Sequence, residues 1–273
     1  MAPLLWEGRL TRTPLRWLQI SAVEFCLPAA LLVIWWLASR DSTSPYFPPL
    51  AEILERFRMD WLSPDGARQL APSLTVLVSG YGTAVTVGVA VGAVLGLNRT
   101  AERATRPLLE LMRALPSAAL LPVFIVLIGI GINMKILLVA CSAMWPVLLN
   151  TVDAMGTTEP LLIDLANSYG MGRWRQFRSI ILPAASPQIF AGARTALTIS
   201  VIIMTVSETV GANGGIGYFL LDAQRSFRVA DMWGTMIAIG VLGYLLNLLF
   251  RLVEAVVLRW HRLYQDRLSA LRR

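Results

Sequence analysis

About six stretches of this 273-residue chain are apolar for long enough to demand a bilayer: 19–38, 74–97, 114–131, 135–152, 195–212 and 232–256. A helix needs about 20 such residues to cross the hydrocarbon core. Inside that core every backbone N–H and C=O must find its partner within the protein, which leaves the α-helix for separate runs of this length. The expected fold is therefore all-α and membrane-integral, with about six transmembrane helices. The composition agrees, at 56% hydrophobic and 15% charged residues, against about 25% charged in soluble domains. The first run follows Arg9, Arg12 and Arg16 and carries Trp35 and Trp36 at its far end. It reads as a span with an aromatic belt rather than a cleaved signal peptide, whose apolar region would be shorter.

Basic residues set the threading. With the N-terminus inside, the inner segments hold Arg9, Arg12 and Arg16; Arg99, Arg103, Arg106 and Arg113; Arg173, Arg175, Arg178 and Arg194; and the arginines from Arg251 onward. The outer segments hold the smaller share, including Arg40, Arg56, Arg68, Lys135 and Arg228. Both termini are thus expected in the cytoplasm. The domain reading is a cytoplasmic segment 1–18, a transmembrane domain 19–262 and a basic tail 263–273, in the cytoplasmic membrane and in contact with its lipid.

Several functions are excluded by what is scarce. The net charge of +7 sits in short clusters between apolar runs, so no basic, aromatic-studded face tracks a nucleic acid. Cys26 and Cys141 lie inside apolar runs, and the one histidine is His261 in the tail, a poor start for a thiolate, a metal site or histidine catalysis. The only lysine, Lys135, precedes Ile136, so no Gly-Lys-Ser/Thr phosphate loop exists and any ATP hydrolysis belongs to another polypeptide. No catalytic, cofactor or metal residues are expected, and the chain reads as a non-enzyme.

Two local patterns carry structure. In the external segment 39–73, Leu50, Ile53, Leu54, Phe57 and Trp61 recur at helical spacing with Glu52, Glu55, Arg56, Arg58 and Asp60 between them, as in an amphipathic helix lying on the outer interface. Gly80, Ala84, Gly88, Gly92 and Gly96 recur every four residues in the second span, the signature of a seam where another helix approaches closely.

The inner loop 153–194 is too organised for a connector. Pro160 starts a helix with Asp164 early in it, Gly170 and Gly172 break it, and Arg173–Ile181 supplies a second helix expected to stop at Pro183. Two short helices on a glycine turn make a rigid elbow. The spacing Asp164, Ala166, Gly170, Ile180, Leu182, Pro183 resembles the EAA motif of ABC-importer permeases: Glu-Ala-Ala, three residues, Gly, nine residues, Ile, one residue, Leu-Pro. Asp stands here for Glu, and Leu165 for the first Ala. The stretches Ser168-Tyr-Gly, Ile181-Leu-Pro-Ala, Ser207-Glu-Thr and Ala212-Asn-Gly-Gly-Ile-Gly-Tyr218 are similar to the aliphatic sulfonate, taurine and nitrate branch of binding-protein-dependent permeases.

The resemblance implies a type I ABC-importer permease, a homodimer served by two cytoplasmic ATPase subunits, which carry the ATP and Mg, and by an extracytoplasmic solute-binding protein. It makes Gly170, Met171, Gly172 and Arg173 the coupling turn that docks in the ATPase, with Trp174 and Phe177 as apolar anchors and Arg173, Arg175 and Arg178 as charge partners. The implied solute is a small organic or inorganic anion, with a heterocyclic vitamin precursor as the alternative within the family. A secondary transporter or channel would want inverted repeats or paired intramembrane charges. Within the spans, Glu208 is the sharpest ionisable residue, beside Ser207 and Asn213. It is expected either to line or gate the pathway or to bind a neighbouring helix. Pro116, Pro122 and Asn133 mark expected breaks in helix near the pathway.

Overall fold

The computed structural model describes residues 14–156, 160–210 and 214–259, and these contain helices and short connections but no strand. In order they are α1 (Pro14–Ser39), α2 (Leu50–Trp61), α3 (Pro64–Gly96), α4 (Arg99–Ala114), a 3-10 turn (Ser117–Leu120), α5 (Leu121–Ile128), α6 (Ile132–Gly156), α7 (Pro160–Ser168), α8 (Arg173–Gln176), a π turn (Phe177–Ile181), α9 (Leu182–Glu208), α10 (Ile216–Arg225) and α11 (Val229–Val257). Among the described residues, four continuous helical stretches are long and apolar enough to cross a bilayer: α3, α6, Arg173–Glu208 and α11. The apolar part of α1, Cys26–Ser39, is shorter.

The glycine seam dictates the centre. A Cβ added at Gly80 would stand 2.7 Å from the Val139 side chain, at Gly88 2.9 Å from Val147, at Gly92 2.7 Å from Thr151 and at Gly96 2.8 Å from Met155. Each contact falls below van der Waals distance, so only glycine lets α3 and α6 touch backbone to backbone. Residue numbers rise together along both helices, so α3 and α6 run parallel. The chain between them must therefore cross back once. That return is the α4–α5 pair, bent by 87° between Ala114 and Ser117, where the sequence places Pro116. The expected single span 114–131 is thus a broken one, because proline disfavours helical backbone at the residue before it.

Helix α9 completes the core and runs antiparallel to α6. Ile181, Ala185 and Ile189 pack with Ala154 and Met155; Ala196 packs with Ala143 and Val147; Val201 and Met204 pack with Met134 and Leu138. The bundle thus has an elbow end, near Met155 and Ile181, and a Lys135 end, near Met134 and Met204. Val33, Ile34, Val126, Leu127, Tyr244 and Val256 are exposed, so the outer surfaces of α1, α5 and α11 have the character of lipid-facing walls.

Two expectations are corrected. The amphipathic α2 turns its apolar face to protein rather than only to an interface: Leu50, Ile53 and Trp61 are buried, and a Cβ at Gly234 of α11 would lie 3.1 Å from the Phe57 backbone nitrogen. Pro183 does not stop the second elbow helix. The Leu182 N–H reaches the Phe177 carbonyl, a five-residue step that widens the turn, and Pro183 then falls in the first turn of α9, where a missing N–H costs little.

Candidate functional site

The elbow is built from backbone upward. Helix α7 ends in a Schellman motif: the Met171 N–H donates to the Ala166 carbonyl at 3.0 Å and the Gly170 N–H to the Asn167 carbonyl at 2.9 Å. Gly170 holds φ +65°, the left-handed conformation that this motif requires of its C′ residue. Gly172 has φ −64°, so its backbone asks nothing special of glycine. Ala166 is buried beneath the turn, which explains a small residue there.

A residue that the motif does not mention locks the corner. Gln176 is buried, and its Nε2 donates to Asn167 Oδ1 at 2.7 Å and to the Met171 carbonyl at 2.8 Å. One side chain thereby ties α7, the turn and α8. Nothing in the sequence marks Gln176, since its partners are set by the turn itself.

The residues around the two predicted anchors, Trp174 and Phe177, divide into two sets. Phe177, Ile181 and Leu182 pack into the apolar cluster at the elbow end of α3, α6 and α9. Ile180 and Pro183 are half-buried beside them, and Arg173, Arg175 and Arg178 are exposed. Trp174 stacks on Phe177 with centroids 5.6 Å apart, yet is 73% exposed, and Tyr169 is 83% exposed. Asp164 lies in a cleft between α7 and α4 that Arg99 and Arg103 also line. The elbow therefore presents aromatic and basic side chains outward on a base wired to the helix core. Because α8 continues through the π turn into α9, the elbow and the core share one 36-residue helical stretch, Arg173–Glu208.

Glu208 is the far end of that helix and is 1% exposed. Its Oε2 accepts from Ser73 Oγ at 2.9 Å and from the Gly217 N–H at 2.9 Å, while Ser73 Oγ accepts from the Ile216 N–H at 2.9 Å. This clasp fastens the start of α10 to α3 and α9. A Cβ at Gly217 would stand 2.3 Å from the Thr205 carbonyl oxygen and one at Gly215, φ +107°, 2.6 Å from the Glu208 carboxylate, so both glycines exist for close approach. Ser207 does not join the clasp, for its hydroxyl donates to the Met204 carbonyl of its own helix at 2.8 Å. Asn213 lies outside the described residues. Ser73 was not legible in the sequence, standing 135 positions from its partner within a run of no particular pattern.

At the same end, Asp231 of α11 pairs with Arg228 at 2.9 Å and Arg56 of α2 at 3.5 Å, and Arg228 with Asp222 of α10 at 2.5 Å. Burial and the neighbouring Asp231 raise the Asp60 pKa, against the opposing pull of Arg56 and Arg228.

Residues 84–262 match the family described as "Binding-protein-dependent transport system inner membrane component". The "Taurine transport system permease protein TauC" of Escherichia coli (strain K12) is 30% identical over 241 residues, covering 85% of this chain and 87% of the relative. The "Putative aliphatic sulfonates transport permease protein SsuC" of Bacillus subtilis (strain 168) is 28% identical, covering 88% and 87%. Among solved structures, an inward-facing conformation of the MetNI methionine ABC transporter superposes with a TM-score of 0.61 at 22% identity, over 70% of this chain and 95% of that one; this likeness concerns the fold.

Proposed function

Because the chain belongs to the family of inner membrane components of binding-protein-dependent transport systems, we propose that it is the solute-conducting subunit of an ATP-driven importer, moved through the elbow at residues 160–183. The carrying observation is mechanical. A Schellman turn around Gly170 presents Trp174, Tyr169 and three arginines to a partner and leads without a break into α9. An ordered projection continuous with a spanning helix transmits displacement, whereas a loose loop would absorb it.

In this reading the elbow end lies in the cytoplasm, as the arginines of segments 99–113 and 173–194 favour, and both termini lie on that side. Two copies of the chain enclose the pathway, each elbow seated on an ATPase subunit that binds the nucleotide and magnesium. ATP binding draws the ATPases and the elbows together and favours the outward-open arrangement; hydrolysis and release favour the inward-open one. A solute-binding protein delivers the cargo from outside. Relatives named for taurine and aliphatic sulfonates support a small anion as that cargo.

The test is Gly170→Val in a reconstituted complex. A β-branched side chain is disfavoured at this positive φ, so the turn must rearrange. Solute-stimulated ATP hydrolysis and uptake should fall at least about tenfold, the equivalent of roughly 1.4 kcal/mol of misplacement, with normal membrane insertion. Undiminished uptake would contradict the elbow's role.

A further inference from the structure

Helix α4 carries its charges on one arc. Arg99, Arg103, Arg106, Glu110 and Arg113 recur at helical spacing, with Leu108 and Leu111 on the opposite arc. The lower rungs of this stripe are answered: Arg106 pairs with Glu102 at 3.4 Å and with Glu110 at 3.6 Å, and Arg99, Glu102, Arg103 and Arg106 line the open cleft of about 590 Å³ against α7. Arg113, at the top, is exposed and has no ion pair or side-chain hydrogen bond among the described residues. Charge threading counts it with the inner loop, but packing lifts it into the bundle. Leu109 clusters with Leu148 and Val152 of α6, which stand about 12 and 6 Å up that helix from Gly156. Leu121 joins the cluster of Met134, Leu138 and Val139 at the Lys135 end. One turn past Leu109, Arg113 lies between those levels, within a hydrocarbon core of about 30 Å. Just above it the helix gives way: Leu115 is extended, at φ −69° and ψ 127°, and Ala114, Pro116, Ala118 and Ala119 are exposed. Irregular backbone at membrane depth persists only where protein covers it or water fills a cavity, and a free guanidinium has the same requirement. Two independent demands for water meet at one place.

We propose that Arg113 is a solute-binding residue: at the break between α4 and α5 its guanidinium receives the acid group of a small anion, a sulfonate or a comparable oxyanion. Guanidinium offers two parallel N–H donors to two oxygens of such a group, and the ion pairs of Glu102 and Glu110 go to Arg106, which leaves the upper charge free. The wet break needs only the geometry above; passage of a solute past it rests on the transport reading.

The test uses a reagent that is itself an ethanesulfonate. In the complex with its ATPase subunits, carrying Cys26→Ala and Cys141→Ala and reconstituted in nanodiscs, Ala114→Cys sets a thiol beside Arg113. Without nucleotide, its rates with anionic 2-sulfonatoethyl and cationic 2-(trimethylammonio)ethyl methanethiosulfonate are compared, each divided by the rate with free 2-mercaptoethanol. The anionic reagent should be favoured at least about tenfold, as one nearby charge in a wet site produces between reagents of opposite sign. Added Arg113→Gln should abolish the preference, and Arg113→Lys, which keeps the charge, should hold it within about threefold. Excess sodium ethanesulfonate should slow labelling when Arg113 is present and not in Arg113→Gln. A ratio near unity, or one that Arg113→Gln leaves unchanged, overturns the proposal. So does a thiol closed to both reagents, since lipid or the second copy would then cover the break. If Arg113→Gln does not reach the membrane, ethanesulfonate protection of Ala114→Cys decides: slowing beyond that given by choline chloride of equal ionic strength supports the site, and its absence overturns it. Charge-selective labelling in a complex that takes up no solute on ATP addition would sink the transport reading alone; ATP-driven uptake beside unselective labelling would sink the role of Arg113 and leave that reading standing.

Discussion

Gly92→Ala is the sharpest perturbation of the fold, because one methyl group meets atoms that cannot retreat. The new Cβ would lie 2.7 Å from Thr151 Cβ and 2.8 Å from the Leu148 carbonyl oxygen. Ordinary carbon contacts lie near 3.5–4.0 Å, so α3 and α6 must part by close to an ångström along a seam shared with Gly80, Gly88 and Gly96. Overpacking of this kind costs about 1–3 kcal/mol. The same substitution at Gly82, on the same helix, meets nothing within 4 Å and should be neutral or slightly stabilising, by up to about 1 kcal/mol from helix propensity. Thermal unfolding of the purified chain in detergent, followed by size-exclusion chromatography of heated samples, should show the midpoint of Gly92→Ala lowered by roughly 2–12 °C at 2–4 °C per kcal/mol. Gly82→Ala should stay at or above the parent. Equal midpoints for the two variants would refute the account of the seam.

At the elbow, Gly172→Ala should retain parental uptake, since its φ of −64° suits any residue; a loss as deep as that of Gly170→Val would mean that the turn is not governed by backbone conformation. Gln176→Leu removes the bonds to Asn167 and Met171 at about 1–3 kcal/mol, and should expose the 160–176 segment to limited proteolysis while the midpoint of the helix core moves little. Burial raises the Asp60 pKa, so the folded state favours its neutral form and the charged form penalises folding once pH exceeds the usual carboxylate range. Asp60→Asn should therefore melt at or above the parent at pH 7, with the advantage shrinking as pH falls toward 4; an advantage that grows on acidification would reverse the assignment.

Features carried by spacing along one helix were legible in the sequence. Glycines every four residues from Gly80 to Gly96 announced the seam, and Gly170 announced the turn, because both demands are local to the backbone. Pro116 announced the break in the third crossing for the same reason, although the helix that precedes the break, α4, did not show as part of that crossing. Pro183 misled, since a proline also fits the first turn of a helix when a π turn precedes it. Ser73 and Gln176 were out of reach. Each acquires its role from a partner brought close by the packing of separate helices, and hydrophobic periodicity records which face is buried, not which polar atom waits there.

The central claim is that the elbow is gripped by a separate nucleotide-hydrolysing subunit, and a single cysteine at Trp174 tests it most directly. In the reconstituted complex without native cysteines, Trp174→Cys should crosslink to the ATPase subunit through a short bifunctional reagent, with a yield that changes when ATP is added. It should also resist impermeant thiol reagents applied from the extracytoplasmic side. Crosslinking to lipid alone, or rapid labelling from that outer side, would contradict the account.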